Sequence, residues 1–139
     1  MQNNYRRVEK IDNPAVEESR KSESNMKVYQ KWEDMAMNLY VALKSYPKSE
    51  RFTLAAKTTD ALLKIGISMV RAKSVGNNKA EKIAAIKAAD LALVELKVLV
   101  RLGMRLEFLS LKKYETLAGQ FTEIGKMIGG WLKSASDNR

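Results

Sequence analysis

The chain contains no cysteine and no histidine among its 139 residues. Without cysteine it can form neither a disulfide nor a thiolate metal site. Without histidine it lacks the usual general base and the Ser-His-Asp arrangement. Only carboxylate, lysine or tyrosine chemistry remains, and a carboxylate pair such as Asp60 and Glu115 lies at no spacing that marks a metal site. We therefore expect a protein that is not an enzyme and that uses no metal and no cofactor.

Helix breakers and long apolar runs are also scarce. The chain has 7 glycines and 2 prolines, and aromatic residues make up 7% of it. Alanine, leucine, lysine and glutamate are plentiful, which is typical of helical proteins. No apolar run reaches the length of about 18 residues that a membrane span needs, and residues 1–25 lack the apolar core of a signal peptide. The sequence predicts a single all-α domain in the cytoplasm that does not contact a membrane.

Periodicity and turn residues divide the chain into three parts. Residues 1–25 are polar and aperiodic and are predicted to form a flexible extension, and residues 135–139 form a polar tail. Between them, in residues 26–134, four helices are predicted at 26–44, 50–73, 79–105 and 111–133. Ser49, Asn78 and Ser110 are the expected N-terminal caps of the last three helices. Helices joined by short loops predict an antiparallel up-down-up-down four-helix bundle.

The last predicted helix combines an apolar seam with three glycines. The seam has the 3-4 spacing of one helix face and comprises Tyr114, Leu117, Phe121, Ile124, Ile128 and Trp131. Glycine lowers helix stability by roughly 1 kcal/mol relative to alanine, so three glycines before a tryptophan indicate that another backbone approaches closely. The predicted oligomer interface is therefore Gly125, Gly129, Gly130 and Trp131.

The second and third predicted helices also carry apolar stripes. The second has one inner stripe, Phe52, Ala55, Thr59, Leu62, Gly66 and Met69. The third is apolar on two sides, with Ala89, Ala92, Leu96, Leu99 and Leu106 on one and Ile86, Leu93 and Val100 on the other. Since one core needs only one of these sides, surplus apolar surface on helices three and four predicts a homo-oligomer.

The net charge of +9 is unevenly distributed. Residues 1–25 carry five basic and five acidic side chains, so the whole excess lies in residues 26–139. One row of basic residues is spaced by seven (Lys57, Lys64, Arg71), another is spaced by four (Lys97, Arg101, Arg105), and Lys48 and Arg51 lie near a helix end. These eight residues are the predicted nucleic-acid contacts. A basic surface of this kind binds phosphate by counterion release but reads no sequence by itself.

Three motifs resemble a known family, the accessory variability proteins (Avd) of diversity-generating retroelements. The motifs are Tyr46-Pro-Lys-Ser-Glu-Arg51, Ala88-Ala-Asp-Leu-Ala-Leu93 and Glu123-Ile-Gly-Lys-Met-Ile-Gly-Gly-Trp131. The resemblance implies a ring-shaped homopentamer of four-helix bundles that binds RNA or DNA and associates with the element's reverse transcriptase during mutagenic retrohoming. It also implies that basic residues of the third helix, here Lys97 and Arg101, contact nucleic acid.

One other interpretation of the sequence remains open. The four-helix proteins encoded within intervening sequences of bacterial 23S ribosomal RNA genes have a similar fold and share the proline loop, which would make this chain a structural or protein-interaction bundle. In that case the lysines and arginines on outer helical faces would serve solubility alone.

Overall fold

The structure is a computed structural model, and it describes residues 14–137, for residues 17–26 the backbone alone. Four long helices account for most of this range: α1 (Pro14–Leu43), α2 (Leu54–Ser74), α3 (Lys79–Arg105) and α4 (Leu111–Asp137). A 3₁₀ turn, Lys48–Glu50, precedes α2, and residues 14–137 contain no strand. Each helix packs against two others, α1 against α2 and α4, and α3 against α2 and α4. The all-α prediction is confirmed, and the helices form the expected antiparallel bundle.

The first helix begins earlier than the sequence predicts. Its first residue is Pro14, whereas the predicted start is residue 26. Proline suits the first turn of a helix, because its φ is already helical and its missing N–H would have no partner there. Residues 14–25 of the predicted flexible extension are therefore helical. Residues 1–13 of that extension lie outside the described part of the chain.

The second helix begins later than predicted, and Ser49 is not its cap. Ser49 lies within the 3₁₀ turn, and Thr53 occupies the cap position before Leu54. The Thr53 hydroxyl does not cap the helix but donates a hydrogen bond to Glu50 Oε1 at 2.8 Å. Because Phe52 falls before the helix, it is 85% exposed, and its predicted place on the inner stripe is wrong.

The caps of the last two helices are as predicted. The Asn78 side chain accepts a hydrogen bond from the Glu81 N–H at 3.1 Å, and Ser110 Oγ accepts one from the Lys113 N–H at 3.2 Å. Both side chains satisfy a backbone donor that the first turn leaves free. The predicted bounds of α3 are confirmed, and α4 extends to Asp137, beyond the predicted end at residue 133.

The core of the bundle lies along the inner stripes of all four helices. On α4 the predicted seam is confirmed, since all of its members are buried apart from Tyr114, which is half-buried. On α2 the predicted residues Leu62, Gly66 and Met69 are buried, and Ala55 and Thr59 are half-buried. The buried face also includes residues that the prediction left out, among them Thr58, Ile65 and Ala72. Burial of one leucine or isoleucine side chain stabilises a fold by about 1.5–3 kcal/mol. The fully buried large side chains include Met35, Leu39, Leu62, Ile65, Met69, Ile86, Leu93, Leu96, Leu117, Ile124 and Ile128.

Close contact between α1 and α2 depends on a glycine. The indole Nε1–H of Trp32 donates a hydrogen bond to the Leu62 carbonyl oxygen at 3.0 Å. The ring reaches this carbonyl because Gly66, one turn later, has no side chain, and a Cβ there would lie 2.5 Å from the ring. Tyr29 packs on the same indole with ring centroids 5.4 Å apart.

The loops at one end of the bundle are held together by the end of α3. Glu107 has a φ of 64°, and the N–H groups of Glu107 and Phe108 donate to the carbonyls of Met104 and Gly103. This is a Schellman ending, which usually has glycine at the left-handed position. It brings the Phe108 ring to a centroid distance of 5.5 Å from the buried Tyr46 ring.

Candidate nucleic-acid interface

The first row of predicted basic residues lies on the outside of α2. Lys57, Lys64 and Arg71 are all exposed, and a spacing of seven keeps them nearly on one line of the helix. Gly66 faces α1 through its contact with Trp32. Lys64 lies two residues before Gly66, and two residues correspond to about 200° of rotation around the helix. Lys64 therefore points away from α1. The row therefore borders α3, the other neighbour of α2.

The second row winds across α3. Lys97, Arg101 and Arg105 are exposed. Lys97 Nζ lies 3.8 Å from the point where a Cβ on Gly125 of α4 would stand, so the row starts on the α4 side of α3. A spacing of four advances by about 40° per step. Arg101 and Arg105 therefore lie progressively closer to the outer face of the helix.

An exposed apolar stripe separates the two basic rows. It lies on the outer face of α3 and comprises Leu91, Val94, Val98 and Leu102, between 46% and 64% exposed. A second stripe, Leu63, Ile67 and Val70, lies on the outer face of α2. These two sets are called the apolar stripes below. The structure thus does not bring the two basic rows together into one continuous patch.

Exposed large apolar side chains lie on α2 and α3, and also on α1 at Met37 and Val41. The prediction of surplus apolar surface is therefore confirmed for helix three and wrong for helix four. On the described part of α4 the exposed large apolar side chain is Leu111, at its first position. The two predicted stripes of α3 both face the core, because Ile86 and Leu93 lie beside Ala89 and Leu96 on one broad buried face. Leu106 is the exception, since it follows the end of the helix and is exposed. The outer stripe is the signal that the sequence analysis missed, although its 3-4-4 spacing is visible in the chain.

Lys48 and Arg51 lie at the end of the bundle where α3 finishes. Both side chains are exposed. Tyr46 fixes their segment, because its ring is buried and its hydroxyl lies so close to Gly103 that a Cβ on Gly103 would overlap it. This packing places Lys48 and Arg51 at the same end of the molecule as Arg105. Lys64 and Arg71 lie further along α2, away from this end.

The eight predicted basic residues are not neutralised within the chain. None of them forms an ion pair with any residue in the range 14–137. An ion pair does form elsewhere, where Lys31 Nζ lies 2.9 Å from Glu123 Oε1. There the hydrogen bond to Glu123 and its negative charge raise the pKa of Lys31. The eight side chains remain available to an anionic partner.

The predicted oligomer interface on α4 has two distinct parts. Gly129 and Gly130 are exposed, and a Cβ on either would meet nothing within 4 Å. Gly125 is half-buried, and Leu93 Cδ2 lies 3.5 Å from the point where a Cβ on Gly125 would stand. Trp131 is 9% exposed and packs into the core of its own bundle. Within residues 14–137 no backbone approaches Gly129 and Gly130, and they form a smooth outer surface.

Two further properties of the described residues bear on function. The side chains that the structure describes include no group of three acidic residues arranged to bind a metal ion. None of the helices in this range has the length and apolarity that a membrane crossing requires.

Comparisons with known proteins identify relatives of this chain. A family model described as bAvd-like matches residues 26–135. No curated protein matches the chain. Among solved structures, the chain is similar to the crystal structure of a protein of unknown function from the S23 ribosomal protein family of Bacteroides thetaiotaomicron. The TM-score is 0.71 at 20% sequence identity, and the match covers 79% of this chain and 98% of that chain. At this identity the similarity shows the fold alone.

Proposed function

The chain belongs to the bAvd-like family, and from that premise we propose that it is a non-catalytic accessory protein of a diversity-generating retroelement. In this role it binds the template RNA or its cDNA through its basic surface, and it associates with the element's reverse transcriptase in mutagenic retrohoming. Such a protein acts in the cytoplasm, where the template RNA is copied. The observation that carries the proposal is the set of eight exposed basic side chains without an ion pair in the described chain.

The charge distribution supports binding to a polyanion. The net charge is +9, and residues 44–87 alone carry ten basic side chains against three acidic ones. Exposed lysines and arginines attract phosphates, release counterions and speed encounter, whatever the base sequence. Arg101 and Arg105 hold phosphate more firmly than lysine would, because a guanidinium offers a two-pronged donor geometry.

We also propose that the protein is a homo-oligomeric ring, with the pentamer that the family resemblance implies. The apolar stripes of α2 and α3 support this proposal, since they expose seven large aliphatic side chains in regular rows. If the stripe on α2 of one copy packs on the stripe on α3 of the next, the interface joins two different surfaces. Interfaces of that kind close into rings when the rotation between copies permits.

The test is RNA binding measured by fluorescence anisotropy at several salt concentrations. The variant reverses three charges, Lys97→Glu, Arg101→Glu and Arg105→Glu. We expect weaker binding to single-stranded RNA and a shallower slope of log affinity against log salt. The magnitude of this negative slope should fall by about 0.7 for each phosphate that the variant no longer neutralises. Unchanged affinity and slope would remove the α3 row from the proposal.

A matched control changes the net charge by the same amount elsewhere. Lys27, Lys126 and Lys133 are exposed residues of α1 and α4, and their reversal to glutamate should weaken binding much less than reversal of the α3 row. Equal reductions in both triple variants would show that only net charge matters. Co-expression with the neighbouring reverse transcriptase and co-purification tests the second part of the proposal.

The alternative is a protein-interaction bundle of the ribosomal intervening-sequence type. Absence of RNA binding by the unaltered protein at low salt, together with a gene located inside a 23S ribosomal RNA gene, would favour it. A neighbouring reverse transcriptase gene with paired repeats would favour the retroelement role.

A further inference from the structure

Among the side chains that the structure describes, Phe52 is the most exposed large apolar one, at 85%. It lies between the 3₁₀ turn Lys48–Glu50 and the first residue of α2. The sequence places it at a position that would continue the inner stripe of α2, but the later helix start turns it out of the core. An aromatic ring with this exposure contributes little to folding. It is accessible to a binding partner.

The backbone that carries Phe52 is held on both sides. Before it, the Glu50 and Arg51 N–H groups donate to the carbonyls of Pro47 and Lys48 at 2.9 and 3.1 Å. After it, the Thr53 N–H donates to the Glu50 carbonyl at 3.2 Å, and the Thr53 hydroxyl donates to the Glu50 carboxylate. The buried Tyr46 ring anchors the whole segment to the end of α3. Phe52 is thus displayed on an ordered turn.

The surroundings of Phe52 are strongly basic. Residues 44–57 hold four basic side chains, Lys44, Lys48, Arg51 and Lys57, and a single acidic one, Glu50. All four basic side chains are exposed and none forms an ion pair with a described residue. An anionic partner is favoured here. A two-fold interface with a second copy is disfavoured, because it would bring these same positive charges together.

A second exposed aromatic residue lies at the same end. Trp32 of α1 pairs with Leu62 of α2 through its hydrogen bond. The two helices are antiparallel, so Tyr40, eight residues after Trp32, lies at about the same level along the bundle as Leu54, eight residues before Leu62. Tyr40 is 45% exposed, so two aromatic rings border this end of the α1–α2 pair.

We infer that Phe52 is a stacking platform for an unpaired base, and that Lys48 and Arg51 hold the flanking phosphates, so this end of the bundle selects single-stranded nucleic acid over duplex. The inference rests on the proposed nucleic-acid-binding function and adds strandedness to it. A ring with a basic rim meets both chemical requirements of a single strand, a face for the base and cations for the backbone. In a duplex the bases are stacked on each other and cannot reach the ring.

The experiment compares single-stranded RNA of about 16 nucleotides with a duplex of the same composition, by fluorescence anisotropy over a range of salt. Phe52→Leu removes the ring and keeps an apolar side chain, and Phe52→Trp restores an aromatic face. Leu111→Ala is the matched control, since it removes an exposed aliphatic side chain at the same end of the bundle.

We expect Phe52→Leu to weaken single-strand binding by about fivefold or more and to leave duplex binding unchanged. The salt slope should stay that of the unaltered protein, because the same phosphates are still neutralised. Phe52→Trp should restore affinity, and Leu111→Ala should have no effect. Thermal unfolding of Phe52→Leu should match the unaltered protein, since the side chain is exposed.

Three results would overturn the inference. Single-strand affinity could remain unchanged in Phe52→Leu, or single-strand and duplex affinities could fall equally. The third result is a smaller oligomer mass for Phe52→Leu in light scattering, which would assign the ring to an interface between copies. The proposed function fails separately, when the unaltered protein binds no nucleic acid at low salt.

Discussion

Gly66→Ala is predicted to destabilise the fold although alanine is the better helix former. A Cβ at position 66 would lie 2.5 Å from two carbons of the Trp32 ring and 2.9 Å from a third. The ring must move outward, which breaks its hydrogen bond to the Leu62 carbonyl. Overpacking of this kind costs about 1–3 kcal/mol, and the broken hydrogen bond costs about 1 kcal/mol. The gain in helix propensity offsets about 1 kcal/mol, which leaves a net decrease of about 1–3 kcal/mol in the free energy of unfolding.

The assay is urea denaturation followed by circular dichroism at one fixed protein concentration, because self-association would shift the midpoint. Gly119→Ala is the matched control, since Gly119 is exposed within α4 and a Cβ there meets nothing within 4 Å. It should stabilise the protein by about 0.5–1 kcal/mol.

A double-mutant cycle isolates the packing between α1 and α2. Trp32→Phe removes the indole N–H and shortens the ring, so Gly66→Ala should lose most of its penalty in that background. The steric argument is refuted if Gly66→Ala proves as stable as Gly119→Ala, or if its penalty is the same with Trp32 and with Phe at position 32.

Two further predictions concern a buried hydroxyl and an exposed valine. Tyr46 Oη is buried without a hydrogen-bond partner, so Tyr46→Phe should equal or exceed the unaltered protein in urea stability at neutral pH, by up to about 1 kcal/mol. Burial raises the pKa of the Tyr46 hydroxyl above its ordinary value of 10.0. The folded state therefore keeps this proton at pH values where the unfolded state loses it, so the free energy of unfolding is unaffected below pH 10.0 and declines as the pH rises further. Tyr46→Phe should lack this decline. Val98→Asp places a charge in the middle of the α3 apolar stripe and should reduce the oligomer mass seen by light scattering, whereas Met37→Asp on the exposed face of α1 should not. An unaltered mass for Val98→Asp would exclude that stripe from the subunit interface.

The parts of the fold that depend on local chemistry could be predicted from the sequence. Asn78 and Ser110 cap the helices expected of them, and the 3-4 seam of α4 is buried as its period indicates. The starts of the helices near proline are predicted less accurately. Pro14 opens a helix, and Pro47 precedes a 3₁₀ turn that delays α2. Proline is compatible with both a break and a first turn, and local sequence does not decide between them.

The candidate site shows a similar division. The exposure of Lys57, Lys64 and Arg71 follows from their position opposite the buried face of α2. Whether that row adjoins the α3 row depends on how the two helices are rotated against each other, which periodicity within one helix does not specify. The placement of Phe52 outside the core follows from the same kind of tertiary effect, since a 3₁₀ turn shifted the start of α2.

The glycines of this chain carry two different kinds of information for a mutational scan. Gly66 and Gly103 reject a side chain because Trp32 and Tyr46 of the same chain already occupy the space. Gly129 and Gly130 border open space, so the isolated fold would accept larger residues there. A scan scored by folding and a scan scored by the proposed function would therefore agree at the first pair. Any disagreement at the second pair would measure the constraint that a partner molecule imposes on α4.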